Sequence, residues 1–241
     1  MKFLKKKKPS NKILIVGGTG FIGHNLAIYC KKKKWNVTCI HRKKLKKNIL
    51  KSVEYIKVDI KNYNHLNNKL KNRNFDYIVN CAGYIEHSNK KSIELNHYLG
   101  LKNLSKIFLK KKIKSFLQIG SAIEYGKKKS PHIEENFIKL LKIKSLYGIS
   151  KLKSSKFLLE LSNNENFKCN IIRVYLSYGP FQKENRIIPQ ITRACLFNKK
   201  FNCTSGKQIR SFIYIDDLIK LIVKVIKKNK FGHIYNAGGI E

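Results

Sequence analysis

The chain has 241 residues, 42% of them apolar, and a formal net charge of +38. This length and apolar fraction suffice for one substantial hydrophobic core, which excludes an intrinsically disordered tail. Lysine runs are scattered along the whole chain instead of being clustered on one element between stacking aromatics. Such a distribution argues against a specific nucleic-acid-binding module, although the charge predicts non-specific binding at low salt.

Neither the six cysteines nor the N-terminus indicates secretion. The cysteines include no C-x-x-C pair and no histidine spacing typical of zinc and sit mostly inside apolar runs, so we expect reduced thiols, most of them in the core, and no metal site. Residues 1–11 form a basic tail without the apolar stretch of a signal peptide, and no apolar run is long enough to cross a bilayer. These features predict a soluble, cytoplasmic protein with no membrane partner.

The first predicted strand, residues 12–16, runs directly into the spacing Gly17-x-x-Gly20-x-x-Gly23, and a helical pattern follows. Gly17 permits a tight turn, and Gly20 allows backbone N–H groups to approach a pyrophosphate. Gly23 allows the helix to pack closely on the strand. A glycine triplet alone is weak support, but its place after a buried strand predicts a dinucleotide site.

Short apolar runs alternate with helical patterns along most of the chain, which predicts a Rossmann fold of the α/β class. We expect a doubly wound parallel sheet with helices on both faces. A Rossmann domain at residues 12–178 would precede a small, incomplete C-terminal substrate lobe with returning Rossmann elements at residues 179–241. The predicted strands are 12–16, 36–40, 53–58, 77–80, 115–119 and 170–174, and the predicted helices include 22–33, 95–109, 147–161 and 218–226.

The end of the second predicted strand lacks the carboxylate that NAD-preferring folds place against the ribose 2′-hydroxyl. Residues 38–44 read Thr-Cys-Ile-His-Arg-Lys-Lys, and no acid appears before Glu54. The guanidinium of Arg42, beside His41 and further cations, suits a 2′-phosphate. Arg42 could also be one more cation of a basic loop, but the missing carboxylate favours NADP(H) over NAD(H).

Tyr147 and Lys151, one helical turn apart, form the candidate catalytic pair, because a nearby ammonium favours the phenolate form of a tyrosine. The spacing alone is unspecific, since three other Tyr-x-x-x-Lys pairs occur in this lysine-rich chain. The context is more specific. The helix follows a strand that ends in residues 118–126 (Gln-Ile-Gly-Ser-Ala-Ile-Glu-Tyr-Gly), at the same predicted sheet edge as the glycine loop.

Together these motifs resemble the NAD-dependent epimerase/dehydratase family, the extended short-chain dehydrogenases/reductases that act on nucleotide sugars. Residues 173–180 and 203–217 are similar to the CDP-abequose synthase-type nucleotide-sugar 4-ketoreductases of that family. Further matching motifs are Asp59 after the third strand, Asn80-Cys81-Ala82-Gly83 after the fourth, Arg173 with Tyr178-Gly179-Pro180, residues 210–217 and residues 235–239.

The resemblance implies catalytic roles at four matching positions. Tyr147 is expected to be the acid/base, Lys151 its cationic partner and a ligand of the cofactor ribose. Ser121 is expected to give the second hydrogen bond to the reacting oxygen, and Asn96 to support this group.

The resemblance also implies binding residues. Arg210 is expected to bind the diphosphate of the nucleotide sugar, and Leu176 stands near the position of a substrate-contacting asparagine in many members. The implied cofactor-binding residues are Gly17, Gly20, Phe21, Ile22, Gly23, His41, Arg42, Asp59, Ile60, Cys81, Ala82, Gly83 and Lys151.

The two residues after Ser121 argue against one class of reaction, the dehydration of a sugar. Dehydratases of the family carry an Asp-Glu pair there, whereas Ala122 and Ile123 cannot move a proton. We therefore predict NADPH-dependent reduction of the 4-keto group of an NDP-4-keto-6-deoxyhexose, with Tyr147 as the proton donor. The alternatives are an NAD-dependent nucleotide-sugar 4-epimerase, a non-catalytic NADPH-binding regulator and a nucleic-acid-binding module.

Four further expectations concern other parts of the chain. Asp216 and Asp217 are read as the N-cap and first-turn acid of the helix at 218–226, and Glu134-Glu135 as a solvated loop. The resemblance implies a homodimer through helices 95–109 and 147–161. Since the family usually continues past the motif at residues 235–239, the substrate lobe is expected to be incomplete.

Overall fold

Parallel strands dominate the computed structural model, which describes residues 10–42, 45, 49–83, 95–134, 143 and 145–239. The strands are β1 (Lys12–Val16), β2 (Asn36–His41), β3 (Glu54–Lys57), β4 (Tyr77–Asn80), β5 (Ser115–Ser121), β6 (Cys169–Val174), β7 (Leu176–Tyr178), β8 (Phe212–Tyr214) and β9 (His233–Ala237). One sheet has the order β3-β2-β1-β4-β5-β6-β9 with every neighbouring pair parallel. The order reverses between β1 and β4, where ligands bind outside the carboxyl ends of strands in such folds.

Helices connect these strands, and several have clear local signals at their ends. They are α1 (Phe21–Lys32), α2 (Tyr63–Leu70), α3 (Gly100–Phe108), α4 (Leu146–Glu165), α5 (Ile187–Leu196) and α6 (Ile215–Lys227). Ser145 caps α4 by accepting the N–H of Gly148 at 2.9 Å, and Asn166 ends it in the left-handed conformation (φ 53°). None of the helices in the described stretches combines the length and apolar content that crossing a membrane requires.

Two apolar clusters lie on opposite faces of the main sheet. Ile13 and Ile15 of β1 belong to the cluster under α1 and α6, whereas Leu14 and Val16 belong to the cluster under α2, α3 and α4. Successive side chains of a strand point to opposite faces, so a strand buried on both sides is apolar throughout. The predicted doubly wound Rossmann sheet is confirmed.

The C-terminal part contributes to both sheets. β7 pairs in parallel with β8 in a separate two-stranded sheet, and α6 and β9 then return to the main sheet. The domain boundary at residue 179 stays a prediction, and residues 1–9 of the basic tail lie outside the described residues.

Several predicted bounds shift by a few residues, and two of the predicted helices have a different N-terminal turn in the structure. The helix at 95–109 opens with a π-helical turn, Leu95–Leu99, before α3 begins. The assignment of Asp216 as an N-cap was wrong: α6 begins at Ile215 after Tyr214, so both acids lie in the first turn. Ile215 is fully buried, and packing of this apolar residue moves the helix start ahead of the aspartates.

Ile222 of α6 tests the packing on this face. Ile222→Ala should lower the free energy of unfolding by about 2–5 kcal/mol, because the substitution leaves a cavity at a fully buried position. Lys224→Ala, at an exposed position of the same helix, should change it by less than about 0.5 kcal/mol. Urea denaturation followed by circular dichroism measures both, and equal losses in the two variants would contradict this packing.

Candidate active site

The loop between β1 and α1 requires glycine for steric reasons. Gly17 has a φ of +79°, and a Cβ there would lie 3.0 Å from the backbone N of Ala82. A Cβ on Gly23 would lie 2.4 Å from the carbonyl oxygen of Gly17. Gly20, the N-cap of α1, has no side chain to cover the first N–H groups, and the first turn contains no acid. These properties fit a pyrophosphate at the positive end of the helix dipole.

The segment after β7 packs against the first turns of α1. Asn25, buried in α1, donates from Nδ2 to the carbonyl oxygens of Phe21 at 2.9 Å and Pro180 at 3.1 Å. The ring of Phe181 lies edge-on against His24, with 4.6 Å between ring centres. Sequence reasoning missed this contact, although an asparagine among the apolar residues of a helix is itself a signal.

At the end of β2, His41 and Arg42 differ in environment. His41 is buried, edge-on against Tyr55 at 6.1 Å between ring centres, whereas Arg42 is exposed. The next acid in the sequence, Glu54, lies at the start of β3 and binds Arg73 at 2.6 Å and Thr38 at 3.0 Å. Glu54 is therefore occupied at the other end of the sheet.

Asp59 and Ile60 follow β3 at the carboxyl edge. The Oδ1 atom of Asp59 accepts the backbone N–H of Lys61 at 3.0 Å. Ile60 is buried, and a Cβ on Gly100 would lie 2.5 Å from its Cδ1. Its carbonyl oxygen accepts the side chain of Asn103 at 2.9 Å. Asp59 thus lies at the predicted edge, whereas the side chain of Ile60 packs in the core.

The turn after β4 is shaped by Asn80, which is buried. Its Oδ1 accepts the N–H of Ala82 at 3.1 Å, and its Nδ2 donates to Gln118 at 2.8 Å. The N–H of Cys81 donates to the carbonyl oxygen of Val16 at 2.9 Å, which joins the turn to the end of β1. Burial raises the pKa of Cys81 to about 12, so this thiol stays protonated at neutral pH.

Lys151 reaches β5 from α4, the helix that also carries Tyr147. The Lys151 ammonium is buried, donates to the carbonyl oxygen of Ile119 at 2.7 Å and lies 5.9 Å from the centre of the Tyr147 ring. His97, also buried, lies edge-on against that ring at 5.1 Å between centres. A Cβ on Gly83 would lie 3.3 Å from the imidazole of His97.

Sequence reasoning missed His97. It lies in the π-helical turn, a feature frequent at functional sites, but the apolar pattern of residues 95–109 gives no sign of the turn. Asn96 is in the same turn, and its side chain lies outside the described residues. Its supporting role stays a prediction.

Ser121 ends β5 and begins a short 3-10 helix, Ala122–Tyr125. Its Oγ accepts the N–H of Ile123 at 3.4 Å, and its own N–H donates to the carboxylate of Glu124 at 2.8 Å. Glu124 forms an ion pair with Arg173 at 3.1 Å, and both side chains have 0% exposure. Ser-x-x-Glu is a capping-box pattern, so the sequence contained the signal for the Ser121–Glu124 contact but not for Arg173.

The last strand is bound to this end of the site. Tyr125 donates its hydroxyl to Asn236 Oδ1 at 2.7 Å and stacks on His132 at 4.3 Å between ring centres. Asn236 donates its side chain to the carbonyl of His132 at 2.9 Å and its N–H to Glu134. Glu134 is exposed, and Glu135 lies outside the described residues.

The two predicted substrate-binding residues come together beside the small sheet. The N–H of Leu176 donates to the carbonyl oxygen of Ser211 at 3.2 Å, next to Arg210. Both side chains are exposed, that of Leu176 to 42%. Arg210 donates to the carbonyl of Ile209 at 3.0 Å.

The NAD dependent epimerase/dehydratase family model matches residues 13–238. The chain belongs to this family. The family resemblance stated from the motifs is thereby confirmed.

Relatives of this epimerase/dehydratase family member carry several activities in their names. A dTDP-D-glucose 4,6-dehydratase of Dictyostelium discoideum is 32% identical over an alignment 255 residues long, gaps included. The alignment covers 94% of this chain and 58% of that protein. A CDP-abequose synthase of Salmonella muenchen is 34% identical over 67 residues, or 28% of this chain and 21% of that protein. The chain thus spans little more than half of the Dictyostelium relative's length.

The structural neighbours include an enzyme solved with a nucleotide sugar and NAD bound. It is the UDP-glucuronic acid 4-epimerase of Bacillus cereus in complex with UDP-glucuronic acid and NAD, with a TM-score of 0.79 and 25% identity. The match covers 95% of this chain and 78% of that one.

Gly23 gives a test of the glycine loop. Alanine usually stabilises a helix interior relative to glycine, but the close approach to the Gly17 carbonyl should make Gly23→Ala destabilising by about 1–3 kcal/mol. Gly20→Ala is the matched control, because its Cβ would meet only the Gly17 carbonyl oxygen, at 3.2 Å. Its stability should fall by less than that of Gly23→Ala in thermal and urea denaturation. The reverse order would contradict the steric explanation.

Proposed function

We propose that this protein is a nucleotide-sugar oxidoreductase that reduces the 4-keto group of an NDP-4-keto-6-deoxyhexose with NADPH. The observation that carries the proposal is the position of the Lys151 ammonium. It is fixed to the carbonyl of Ile119, on the strand that ends at Ser121, and lies 5.9 Å from the centre of the Tyr147 ring. These two distances support a site in which a phenol, a hydroxyl and a cation act together at the carboxyl edge of the sheet.

Each residue of this group has a distinct role in the proposed reduction. A nicotinamide cofactor supplies a hydride for the keto carbon when bound. Tyr147 donates a proton to the keto oxygen, and Ser121 donates a hydrogen bond to the same oxygen. The Lys151 cation stabilises the phenolate that remains on Tyr147. The product is an alcohol at the former keto carbon.

Dehydration is disfavoured by the residues after Ser121, even though several relatives are named dTDP-D-glucose 4,6-dehydratases. Ala122 and Ile123 carry no ionisable group at the two positions expected to hold the acid and base. The next carboxylate, Glu124, is buried against Arg173 and does not reach the open side of the site. This strand end therefore offers a substrate no carboxylate for proton abstraction.

The preference for NADPH rests on the end of β2. Arg42 is exposed there, and Glu54 is bound to Arg73 and Thr38 at the far end of β3. A guanidinium can form charge-assisted hydrogen bonds to a 2′-phosphate, whereas a 2′-hydroxyl would lack the usual carboxylate acceptor. Asp59, at the neighbouring strand end, is proposed to meet the adenine.

An NAD-dependent 4-epimerase is the second candidate, and the Bacillus cereus neighbour solved with NAD supports it. An epimerase would use Tyr147, Ser121 and Lys151 in the same way but would retain NAD between the two half-reactions. For either activity, Arg210 is proposed to bind the substrate diphosphate beside Leu176. A homodimer through α3 and α4 stays a prediction.

Tyr147→Phe tests the proton donor. With NADPH and a panel of 4-keto-6-deoxy nucleotide sugars, turnover followed by NADPH absorbance should fall by about 10²–10⁴-fold while cofactor affinity is kept. Tyr29→Phe is the matched control, because Lys33 lies 5.8 Å from the centre of the Tyr29 ring, nearly the distance found at Tyr147. Equal turnover in both variants would contradict the role of Tyr147.

Arg42→Ala tests the cofactor. Fluorescence titration should give tighter binding of NADPH than of NADH in the wild type, and the variant should lose roughly 10- to 100-fold of NADPH affinity with little change for NADH. Lys224→Ala, which removes one exposed cation near the C-terminal end of α6, should bind both as the wild type does. Equal affinities in the wild type, or NAD that copurifies and resists dialysis, would favour the epimerase.

A further inference from the structure

Glu124 contacts the predicted catalytic elements from the protein interior. One carboxylate oxygen accepts the N–H of Ser121 at 2.8 Å. The other accepts Arg173 Nε at 3.1 Å and the hydroxyl of Ser155 at 2.7 Å. Ser155 is on α4, so one buried carboxylate joins the end of β5, the 3-10 helix, α4 and β6.

Ser155 lies on the catalytic face of α4. It follows Lys151 by one helical turn, as Lys151 follows Tyr147, so the three side chains share one side of the helix. Lys151 is held to the carbonyl of Ile119, and Ser155 is held to Glu124. Two buried hydrogen bonds, one turn apart, therefore fix α4 against the strand end that carries Ser121.

We infer that Glu124 is a positioning residue that sets the distance between Ser121 and Tyr147. It acts through the Ser121 backbone on one side and through the Ser155 hydroxyl on the other. The inference rests on the proposed function, in which Ser121 and Tyr147 bind the same substrate oxygen. The distance between the Ser121 and Tyr147 hydroxyls must therefore be fixed to within a fraction of an ångström, because a 1 Å misplacement can lower the rate about 100-fold.

Gly120, the residue before Ser121, leaves the space that the Glu124 carboxylate occupies. A Cβ on Gly120 would lie 2.6 Å from its Oε1 atom, so the residue before Ser121 must be small for Glu124 to reach the Ser121 N–H. Arg173, whose guanidinium carbon lies 4.5 Å from the centre of the Tyr125 ring, supplies the opposite charge. The ion pair itself needs only Arg173. The bond to Ser155 is additional, and it is the one that reaches α4.

Ser155→Ala tests the inference with the ion pair left in place. We expect kcat to fall by roughly 10- to 100-fold, with KM and the Kd for NADPH within about twofold of the wild type. Ser115→Ala is the matched control: this serine is fully buried at the opposite end of β5. Ser155→Ala should unfold at a lower temperature than Ser115→Ala, because it removes a hydrogen bond from a buried carboxylate, so turnover is measured well below both unfolding temperatures. An unchanged kcat in Ser155→Ala would overturn the inference, as would a loss of NADPH binding equal to the loss of kcat.

A second measurement does not require turnover. In a tyrosine Cζ NMR spectrum, the signal absent from Tyr147→Phe identifies Tyr147 among the 12 tyrosines. This signal should move in Ser155→Ala and in Glu124→Gln, and should coincide with the wild type in Ser115→Ala. If Glu124→Gln does not fold, Ser155→Ala decides alone. A wild type without turnover would contradict the proposed function, and an unmoved Tyr147 signal in Ser155→Ala would overturn the inference in either case.

Discussion

The buried ion pair between Glu124 and Arg173 constrains the arrangement of the candidate active site more than any surface contact does. Both side chains are removed from water, so each charge needs the other and well-placed hydrogen bonds. Those bonds come from the Ser121 backbone and the Ser155 hydroxyl, which belong to different elements. The cost of leaving a buried carboxylate unsatisfied therefore couples the end of β5 to α4. The desolvation cost of the Glu124 charge therefore favours the arrangement of β5 and α4 in which all of its hydrogen bonds are formed.

The two ends of the site are determined by different physical effects. At the glycine loop the constraint is steric, because Gly17 and Gly23 approach backbone atoms so closely that a Cβ would collide. At the end of the site that contains Ser121 and Tyr147, the constraint is hydrogen bonding to buried polar groups such as Asn80 and Lys151. A steric requirement appears in the sequence as glycine at a fixed spacing. A network of buried polar groups depends on partners that are distant along the chain.

This difference explains what the sequence could predict. The parallel sheet follows from apolar runs alternating with helical patterns, and the positions of Ser121, Tyr147 and Lys151 follow from their motifs. Glu124 and Arg173 are 49 residues apart, and neither neighbourhood indicates the other. The π-helical turn that presents His97 leaves the apolar pattern of the helix unchanged. The start of α6 was misplaced because an aspartate is a common N-cap, whereas burial of Ile215 determines the start.

In this strongly basic chain, the positions of the few carboxylates bear on the choice of cofactor. With 14 acidic against 52 basic residues, a carboxylate is scarce, yet this chain keeps one where a contact requires it. Burial alone would raise the pKa of Asp76, but hydrogen bonds from the Lys12 N–H and the Lys114 ammonium lower it. Inside the protein, Glu124 accepts hydrogen bonds from the Ser121 N–H and the Ser155 hydroxyl. The exposed end of β2 carries Arg42 instead of an acid, at the strand end where a ribose 2′-hydroxyl would need an acceptor. In a chain that retains carboxylates at its structural contacts, the basic residue at this strand end supports the proposed use of NADPH.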